Sequence, residues 1–358
     1  MKTRHGIAAV LIVAFVLVAI GTNGLSAQDK GKAQPEQQKV FIPKQVKAVL
    51  QEGLLTRQGR QDIPFSFSRH LFLPARDSLH NIIYFKVKNA DLGYAPAAVV
   101  APAAPVTPEQ PQPAAQPEQL QAKFNVFLWF STLAEDGMLQ TVKEVYIPVT
   151  IDTPAAGYDP EKDEAYSFGY PLPYGRFLLA MAVTSQDLSK IGTGYFEFST
   201  ANPAAMASGL ETTPIFFAKS VDQMQAPESR TEVHKDYFTY SILKMEPKAE
   251  NVFAQGESLD IFFFTFGLRP DAQQKYNVEF GYEVKKGEET AVRYENQVSD
   301  SPLVSQPLPL KQTVLIKSDK GETKEERDLG PGLYSLVIKI ADKVSGLSTE
   351  KKVDFEIK

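Results

Sequence analysis

The sequence of 358 residues has no cysteine, one tryptophan and four histidines. The lack of cysteine excludes disulfides, metal–thiolate sites, a cysteine nucleophile and a lipid joined to a processed N-terminus. Beyond the N-terminal segment only His70, His80 and His234 remain, and their spacing is not that of a metal-binding helix. GxSxG, SxxK and phosphate-binding glycine motifs are also missing. The sequence therefore predicts a non-enzymatic protein without a cofactor.

One long apolar run is present, at the N-terminus. Lys2 and Arg4 precede an apolar stretch at 7–20, and small residues suitable for cleavage follow it. An uncleaved anchor is the alternative, but the run is shorter than the roughly 20 residues that a bilayer requires. The sequence predicts a signal peptide at 1–27, cleaved near Ala27–Gln28. The mature protein is then periplasmic or secreted, with no membrane insertion after cleavage.

Basic residues are in the minority in the mature chain. Cleavage removes two of them and leaves 36 Lys and Arg against 43 Asp and Glu, a net charge of −7. Nucleic acid and anionic lipid both require a basic face, so neither is an expected partner. An envelope protein is the expected partner, while its identity and the oligomeric state of this protein stay open.

Helical patterns are rare as well. The only one is "PKQVKAVLQEGLL", where Pro43 suits a first turn and Val46, Val49 and Leu50 share a face. From residue 63 onward, short segments rich in Phe, Tyr, Val and Ile alternate with Pro and Gly. The prediction is an all-β chain with a short N-terminal helix.

The C-terminal part of the chain repeats the middle part in four blocks that keep the same order. The matched blocks are 78–87 with 258–266, 124–130 with 276–282, 172–183 with 329–340, and 196–198 with 355–357. Each copy offers about seven strands, the rhythm of an immunoglobulin-like sandwich. The predicted organisation is a flexible segment with the short helix (28–58), a first sandwich (59–200), a linker or strap (201–235) and a second sandwich (236–358).

One turn before a matched strand resembles the tyrosine corner of such sandwiches, and the matched turn of the first copy departs from it. In "DLGPGLY" the hydroxyl of Tyr334 is expected to bond back to the backbone, with a contribution of about 1 kcal/mol. The matched position in the first copy is Phe177, which has no hydroxyl, so packing alone is expected to hold that corner. An ordinary strand residue is the alternative interpretation of Tyr334.

The pattern "F..GE.L.IFF" at Phe253, followed by "LGPGLYSLVIKIAD" and "DFEI", resembles β-sandwich modules of exported bacterial proteins. These modules, of an acidobacterial type, often accompany GWxTD or von Willebrand-related domains. The resemblance covers residues from about 237 to the end and, more loosely, 60–200. Its motifs encode turns and strand faces, and the GWxTD and DxSxS motifs are absent. The resemblance implies a fold of tandem immunoglobulin-like antiparallel β-sandwiches and no activity.

Two polar segments interrupt the first copy. A Pro/Ala-rich loop at 95–121 is expected to be extended and mobile, a surface insertion or a docking peptide for a Pro-binding partner. The second segment, "DPEKDEAY", places Asp159, Glu161 and Asp163 at alternate positions, where carboxylates could hold Ca²⁺. A solvated acidic loop is the simpler interpretation, because the glycine turn and closing glutamate of an EF-hand are missing.

The single tryptophan lies in "FNVFLWF", where Phe127 and Trp129 share the face opposite to that of Val126, Leu128 and Phe130. The second copy has Glu and Gly at the two matched outer positions. Either another part of this chain covers the aromatic pair, such as residues 40–60 or the Pro-rich loop, or a partner does. Phe127 and Trp129 are therefore the candidate partner-binding residues.

These observations predict an exported, non-enzymatic interaction or scaffolding protein of the bacterial envelope. The alternative is a carbohydrate-binding or enzyme-accessory protein, although a lone tryptophan is little for an aromatic platform. A hydrolase with a dispersed pair of carboxylates is the third interpretation, since such groups converge in space and not in sequence.

Overall fold

A computed structural model describes residues 42–97, 118–200, 208–318 and 321–358. Strands make up 61% of the structure, which confirms the predicted all-β sandwich class. The predicted signal peptide at 1–27 lies outside the described residues. Within the described part, no helix is both long enough and apolar enough to cross a membrane.

One α-helix, α1 (Lys44–Gly53), is present at the predicted place. Pro43 precedes it with φ −52°, a value that leads directly into a helix. Val46 and Leu50 lie one turn apart and are fully buried. Helix α1 is therefore a packed element, although the sequence suggested a flexible segment at 28–58, of which residues 28–41 lie outside the described part.

The first part of the chain forms two sheets that pack face to face. Sheet I has the order β1 (Phe65–Ala75), β2 (Ser78–Lys88), β6 (Asp163–Leu172) and β11 (Val233–Lys235). Sheet II has the order β3 (Ala95–Pro96), β4 (Gln119–Leu133), β7 (Arg176–Ser185) and β8 (Ile191–Ser199), with β5 (Leu139–Pro154) also paired to β4. A 3₁₀ turn, Asn89–Leu92, follows β2. Alternate residues of both sheets, including Phe85 and Leu128, form one buried core between them.

Two further sheets pack in the same way. Sheet III has the order β12 (Phe238–Tyr240), β13 (Leu243–Pro247), β10 (Phe216–Gln223), β15 (Ser258–Phe266) and β19 (Leu303–Pro309), with β9 (Glu211–Thr212) beside β15. Sheet IV has the order β14 (Val252–Phe253), β23 (Ser348–Ile357), β22 (Gly332–Asp342), β16 (Val278–Lys286) and β17 (Glu289–Arg293), with β18 (Gln297–Ser299) beside β16. A second core fills the space between them. Strands β20 (Lys311–Ser318) and β21 (Gly321–Asp328) form a separate ribbon.

The blocks that repeat in the sequence occupy strands with the same pairing. Strand β2 pairs with β6 as β15 pairs with β19, and β4, β7 and β8 follow one another as β16, β22 and β23 do. Among the described strands all pairs are antiparallel except β14 with β23. The division into two domains stays a prediction, because the two sandwiches share a further core.

That further core, which we call the junction core, lies between the outer faces of sheets I and III. It consists of eight buried side chains: Leu71, Leu73, Ile82, Tyr84, Phe216, Phe238, Met245 and Phe262. Strand β2 is buried on both faces as a result, because Ile83 and Phe85 point into the first core while Ile82 and Tyr84 point into the junction core. The two sandwiches are therefore joined by packed apolar surface.

The segment 201–235, predicted to be a linker or strap, belongs to the sheets. Strands β9 and β10 pair with β15, and β11 pairs with β6 across Val233–Phe168 and His234–Ser167. The chain thus adds strands to sheet III before it returns to sheet I. Residues 201–207 lie outside the described part.

The Pro/Ala-rich loop predicted at 95–121 is shorter in the structure. Ala95 pairs with Gln121 and Pro96 with Leu120, so the strands β3 and β4 extend into both ends of the predicted loop. Its central part, 98–117, lies outside the described residues.

Candidate functional site

Helix α1 covers the outer face of sheet II, where the sequence placed its candidate partner-binding residues. Phe127 and Trp129 are only 3% and 8% exposed, and both pack against Val46 and Leu50 of the helix. The neighbouring strand β7 contributes the small residues Ala180 and Ala182 at this face. The small side chains of β7 leave room for the helix. Burial of Phe127 and Trp129 against the helix removes apolar area from water.

Polar contacts surround this apolar contact. The indole Nε1 of Trp129 donates to Thr141 Oγ1 at 2.9 Å, and Lys47 Nζ lies 4.9 Å from the centre of the indole ring. Lys47 also forms an ion pair with Glu144 of β5. The hydroxyl of Tyr195 donates to the carbonyl of Leu50 at 2.7 Å, near the end of the helix. These contacts fix α1 on the sheet at both of its ends.

The residues after the helix, 54–63, cross the edge strand β8; we call residues 42–63 the N-terminal strap. Arg60 and Thr193 exchange two hydrogen bonds of 2.9 Å, one from each backbone N–H. Asp62 accepts from the N–H of Ile191 at 3.2 Å. The hydrogen bond from Arg60, together with that from Ile191, holds the pKa of Asp62 below its usual range.

The candidate partner-binding residues are therefore closed off in this structure. Of the two alternatives for Phe127 and Trp129, cover by residues 40–60 is the one that the structure shows, and their face is not an open docking surface. A carbohydrate platform at Trp129 would need the same exposed face. The Pro-rich loop, the other candidate for cover, lies mostly outside the described residues.

The corresponding outer face of sheet IV carries charge instead of aromatic rings. Glu283 there accepts from Lys339 at 3.2 Å and from Arg293 at 3.1 Å. Burial raises the pKa of Glu283, but the hydrogen bond from Lys339 and the two positive charges outweigh it and lower the pKa overall. Lys343 and Glu279 form a further ion pair at 3.1 Å. The two matched faces thus differ in what they present to their surroundings.

The two predicted corners hold their strands in different ways. The hydroxyl of Tyr334 donates to the carbonyl of Gly330 at 2.8 Å, and its ring stacks on Phe355 at 5.7 Å. Phe177 is fully buried and stacks on Phe198 at 5.6 Å. The sequence left this second corner to packing alone.

A hydroxyl does in fact serve the first corner, from a residue that the sequence reasoning missed. Thr200 Oγ1 accepts from the N–H of Gly175 at 2.7 Å and donates to its carbonyl at 3.1 Å. Thr200 therefore supplies the polar contact that Phe177 cannot make. The same end of the sandwich has an open pocket of about 390 Å³, and its described lining contains no carboxylate or histidine: Tyr174, Gly175, Arg176, Ser199 and Thr200.

We expect Tyr334→Phe to lower the free energy of unfolding by about 1 kcal/mol, because only the hydrogen bond to Gly330 is lost while the stacked ring remains. Chemical denaturation measures the change. The control is Tyr174→Phe, at a tyrosine that is 37% exposed, which should leave the denaturation midpoint unaltered. Equal effects of the two substitutions would contradict a structural role for the Tyr334 hydroxyl.

The three acidic residues of the predicted calcium site are not brought together. Glu161 pairs with Lys88 at 2.9 Å, and Asp159 Oδ1 accepts from the N–H of Glu161 at 2.9 Å. Asp163 begins β6, with its backbone opposite Lys88. In the part of the chain that the structure describes, no group of three acidic or histidine side chains could hold a metal ion.

Of the three histidines, His234 is buried and His70 and His80 are half-buried. His70 Nε2 is 3.0 Å from Asn81 Oδ1, and His234 Nε2 is 3.1 Å from a Glu228 oxygen. His80 lies on β2 with its ring 6.0 Å from that of Tyr240 of β12, and burial lowers its pKa. Each histidine thus serves packing or a local hydrogen bond, in separate places.

Comparison with known proteins adds little to this geometry. No family model matches the chain. No curated protein matches it either. Among solved structures, a crystal structure of a mutant Salmonella alpha-2-macroglobulin aligns with 83% of this chain at 9% identity and a TM-score of 0.15. The chain spans 17% of the length of that structure, and a likeness this distant supports no functional argument.

Residues 40–60 were among the expected covers of the aromatic face, but the polar contacts that hold the strap there were not predicted. The apolar face of the helix at Val46 and Leu50 was readable, and so was the aromatic face of β4. What joins them is a set of polar contacts between residues 97 to 145 positions apart, such as Lys47 with Glu144 and Tyr195 with Leu50. A single sequence carries no signal for such pairs.

Proposed function

We propose that this protein is an exported, non-enzymatic interaction or scaffolding protein of the bacterial envelope. The observation that carries the proposal is the junction core, which joins two sandwiches through buried apolar side chains. A scaffold has to hold its surfaces at a fixed spacing and angle. A packed junction provides that, whereas a polar linker would allow the sandwiches to move independently.

Hydrogen bonds add direction to the apolar packing of the junction. Arg69 of β1 donates to the carbonyl of Lys248 at 2.9 Å, and the Tyr240 hydroxyl donates to the carbonyl of Pro74 at 2.5 Å. Ser167 of β6 donates to the carbonyl of Tyr237 at 2.6 Å. Apolar packing is not directional, so these bonds, which are half-buried, select one relative orientation of the sheets.

A polar clasp closes one side of the junction. Glu228 contacts His234 of β11 at 3.1 Å and accepts from Thr239 of β12 at 2.8 Å. Strand β11 belongs to sheet I, and β12 belongs to sheet III. One carboxylate thus connects the two sheets that meet at the junction.

The export of the protein is part of the proposal and rests on the N-terminal sequence. The basic start, apolar run and cleavage site at 1–27 support a periplasmic or secreted protein. The acidic balance of the mature chain supports a protein partner over nucleic acid or anionic lipid. The resemblance to modules of exported bacterial proteins supports the same setting.

The experiment compares three forms of the mature protein in photo-crosslinking to envelope extract. The first is the wild type, and the second is the junction variant Arg69→Ala/Tyr240→Phe. The third is Lys219→Ala, which removes an exposed ion pair with Glu246 from sheet III and leaves the junction intact. Circular dichroism of each form checks that the sandwiches remain folded.

A scaffold predicts the same crosslinked envelope protein with the wild type and Lys219→Ala, and weaker crosslinking with the junction variant. Crosslinking that is equal in all three forms would show that the fixed orientation is irrelevant. Turnover of a peptide or glycan substrate by the purified protein would overturn the non-enzymatic part of the proposal.

A further inference from the structure

The ribbon of β20 and β21 forms a sheet of its own, apart from the other sheets of the described structure. Its eight pairs run from Lys311 opposite Asp328 to Ser318 opposite Gly321, a length of about 27 Å. Each strand of the ribbon pairs with the other and with no other described strand. Strand β17 of sheet IV lies against β20 of the ribbon.

The outer edge of β21 therefore has open backbone groups. Every second residue of an edge strand directs its N–H and C=O away from the sheet, where another strand can pair with them. A two-stranded ribbon is marginally stable by itself and gains stability from a third strand. Residues 324–328 of β21 have exposed side chains, and apart from β20 no described strand pairs with this stretch.

The charges along this stretch alternate in a way that fits a second copy of itself. The sequence is Lys324, Glu325, Glu326, Arg327 and Asp328. When two such strands run antiparallel about Glu326, Lys324 faces Asp328 of the second copy and Glu325 faces Arg327 of the second copy. Each pair occurs twice by symmetry. Four pairs are then opposite in charge and one, Glu326 with its own counterpart, is alike.

Other registers place fewer opposite charges, or more like charges, opposite each other. Centring on Glu325 leaves two opposite pairs, Lys324 with Glu326 in both directions, and one like pair. Centring on Arg327 places like charges at the centre and twice more beside it, as Glu326 meets Asp328. Directly opposed side chains of a β-ladder attract or repel by charge, so one register is selected.

We propose that two copies of this chain associate through the outer edges of β21, antiparallel about Glu326, and form a four-stranded sheet from two ribbons. Charged edges ordinarily prevent strand pairing. A stretch of mixed charge prevents it with most strands and permits it with a partner of matching order, which is a means of specificity. The Glu325–Arg327 contact within one strand, 2.9 Å long, can exchange for contacts between the copies.

The test uses charge reversal with a restoring swap in the full mature protein. Glu325→Arg or Arg327→Glu alone turns two attractive pairs into repulsive ones and should weaken dimerisation about tenfold or more. The double variant Glu325→Arg/Arg327→Glu restores opposite charges at each position and should dimerise as the wild type does. Glu295→Arg, an exposed reversal outside the ribbon, is the control and should have no effect.

Sedimentation equilibrium over a range of protein concentration, at low and high salt, measures the association. We expect a dimer whose association weakens at high salt. The single charge reversals should weaken it as well, and the double variant should not. A wild type that stays monomeric at every concentration overturns it. So does a dimer that is indifferent to the single reversals, or one that the double variant fails to restore. A monomer would leave the proposed scaffolding role untouched, because that role depends on the junction core.

Discussion

Replacing Trp129 by alanine should lower the free energy of unfolding by about 3–5 kcal/mol. The indole is buried between sheet II and α1, so its loss leaves a cavity that the helix and sheet can only partly fill. The substitution also removes the donor to Thr141 and the ring beneath Lys47. If Trp129 were exposed on a docking surface, the same substitution would lower the free energy of unfolding far less.

Thermal or urea unfolding measures the loss, and Leu55→Ala is the matched control. Leu55 lies two residues after the end of the same helix and is 92% exposed, so its truncation should change stability little. Because Trp129 is the only tryptophan, its emission reports on this site alone. A red-shifted, readily quenched emission from the native protein, together with a small loss of stability, would mean that the strap does not cover sheet II in solution.

Gly192→Ala should also be strongly destabilising, with a loss of about 3 kcal/mol. A Cβ atom at this position would lie 1.9 Å from the carbonyl oxygen of Ile63 in the strap. The obstacle is backbone on the strap side and a paired strand on the other, so neither a rotamer change nor a small shift removes it. The strap has to leave β8, and the bonds between Arg60 and Thr193 break with it.

Limited proteolysis and thermal unfolding together test this prediction. We expect new cleavage within residues 54–63 of the variant and a lower melting temperature. Gly209→Ala serves as control, since a Cβ there meets nothing within 4 Å, and it should behave as the wild type. Resistance of the Gly192→Ala strap to proteolysis would show that the close approach at β8 is not a stable contact.

Much of the fold could be predicted from the sequence, because apolar residues alternate with polar ones along a strand that buries one face. The alternation in β4 separated Val126 and Leu128 from Phe127 and Trp129, and the structure places the first two in the inner core and the second two under α1. The repeat followed the strand pairing, since each matched block carries its own apolar face. The pattern that marks a strand lies in consecutive residues, so a single sequence contains it.

The junction core was missed, although the sequence carries a signal for it. Strands β2 and β15 contain the unbroken apolar runs "IIYF" and "IFFF", and such runs indicate burial on both faces instead of one. Ile82 and Phe262 are the residues that a one-sided strand would have exposed. An interpretation by period alone assigns them to a surface.

Strand β11, within the predicted linker or strap, was missed for a different reason. The segment 201–235 begins with Ala, Pro, Ser and Gly, a composition that suggests a connection, and its later strands are short. Strand β11 has three residues, too few for a periodic signal, and its place is decided by the open edge of β6. Whether so short a segment forms a strand depends on which strand edge lies beside it in the folded protein.

The position of β11 has a consequence for dividing the chain. A fragment that stops at residue 200 would end sheet I at β6, with the edge that β11 occupies left bare along Tyr166, Ser167 and Phe168. The unpaired N–H and C=O groups of that edge could pair with a strand of another chain, so we expect the fragment to aggregate more readily than the intact chain. A fragment that starts at residue 236 would lack β9 and β10, which sheet III needs beside β15. The strands of the two sandwiches therefore alternate along the sequence, and we expect a single cut at either place to leave one sandwich without a strand that it pairs with.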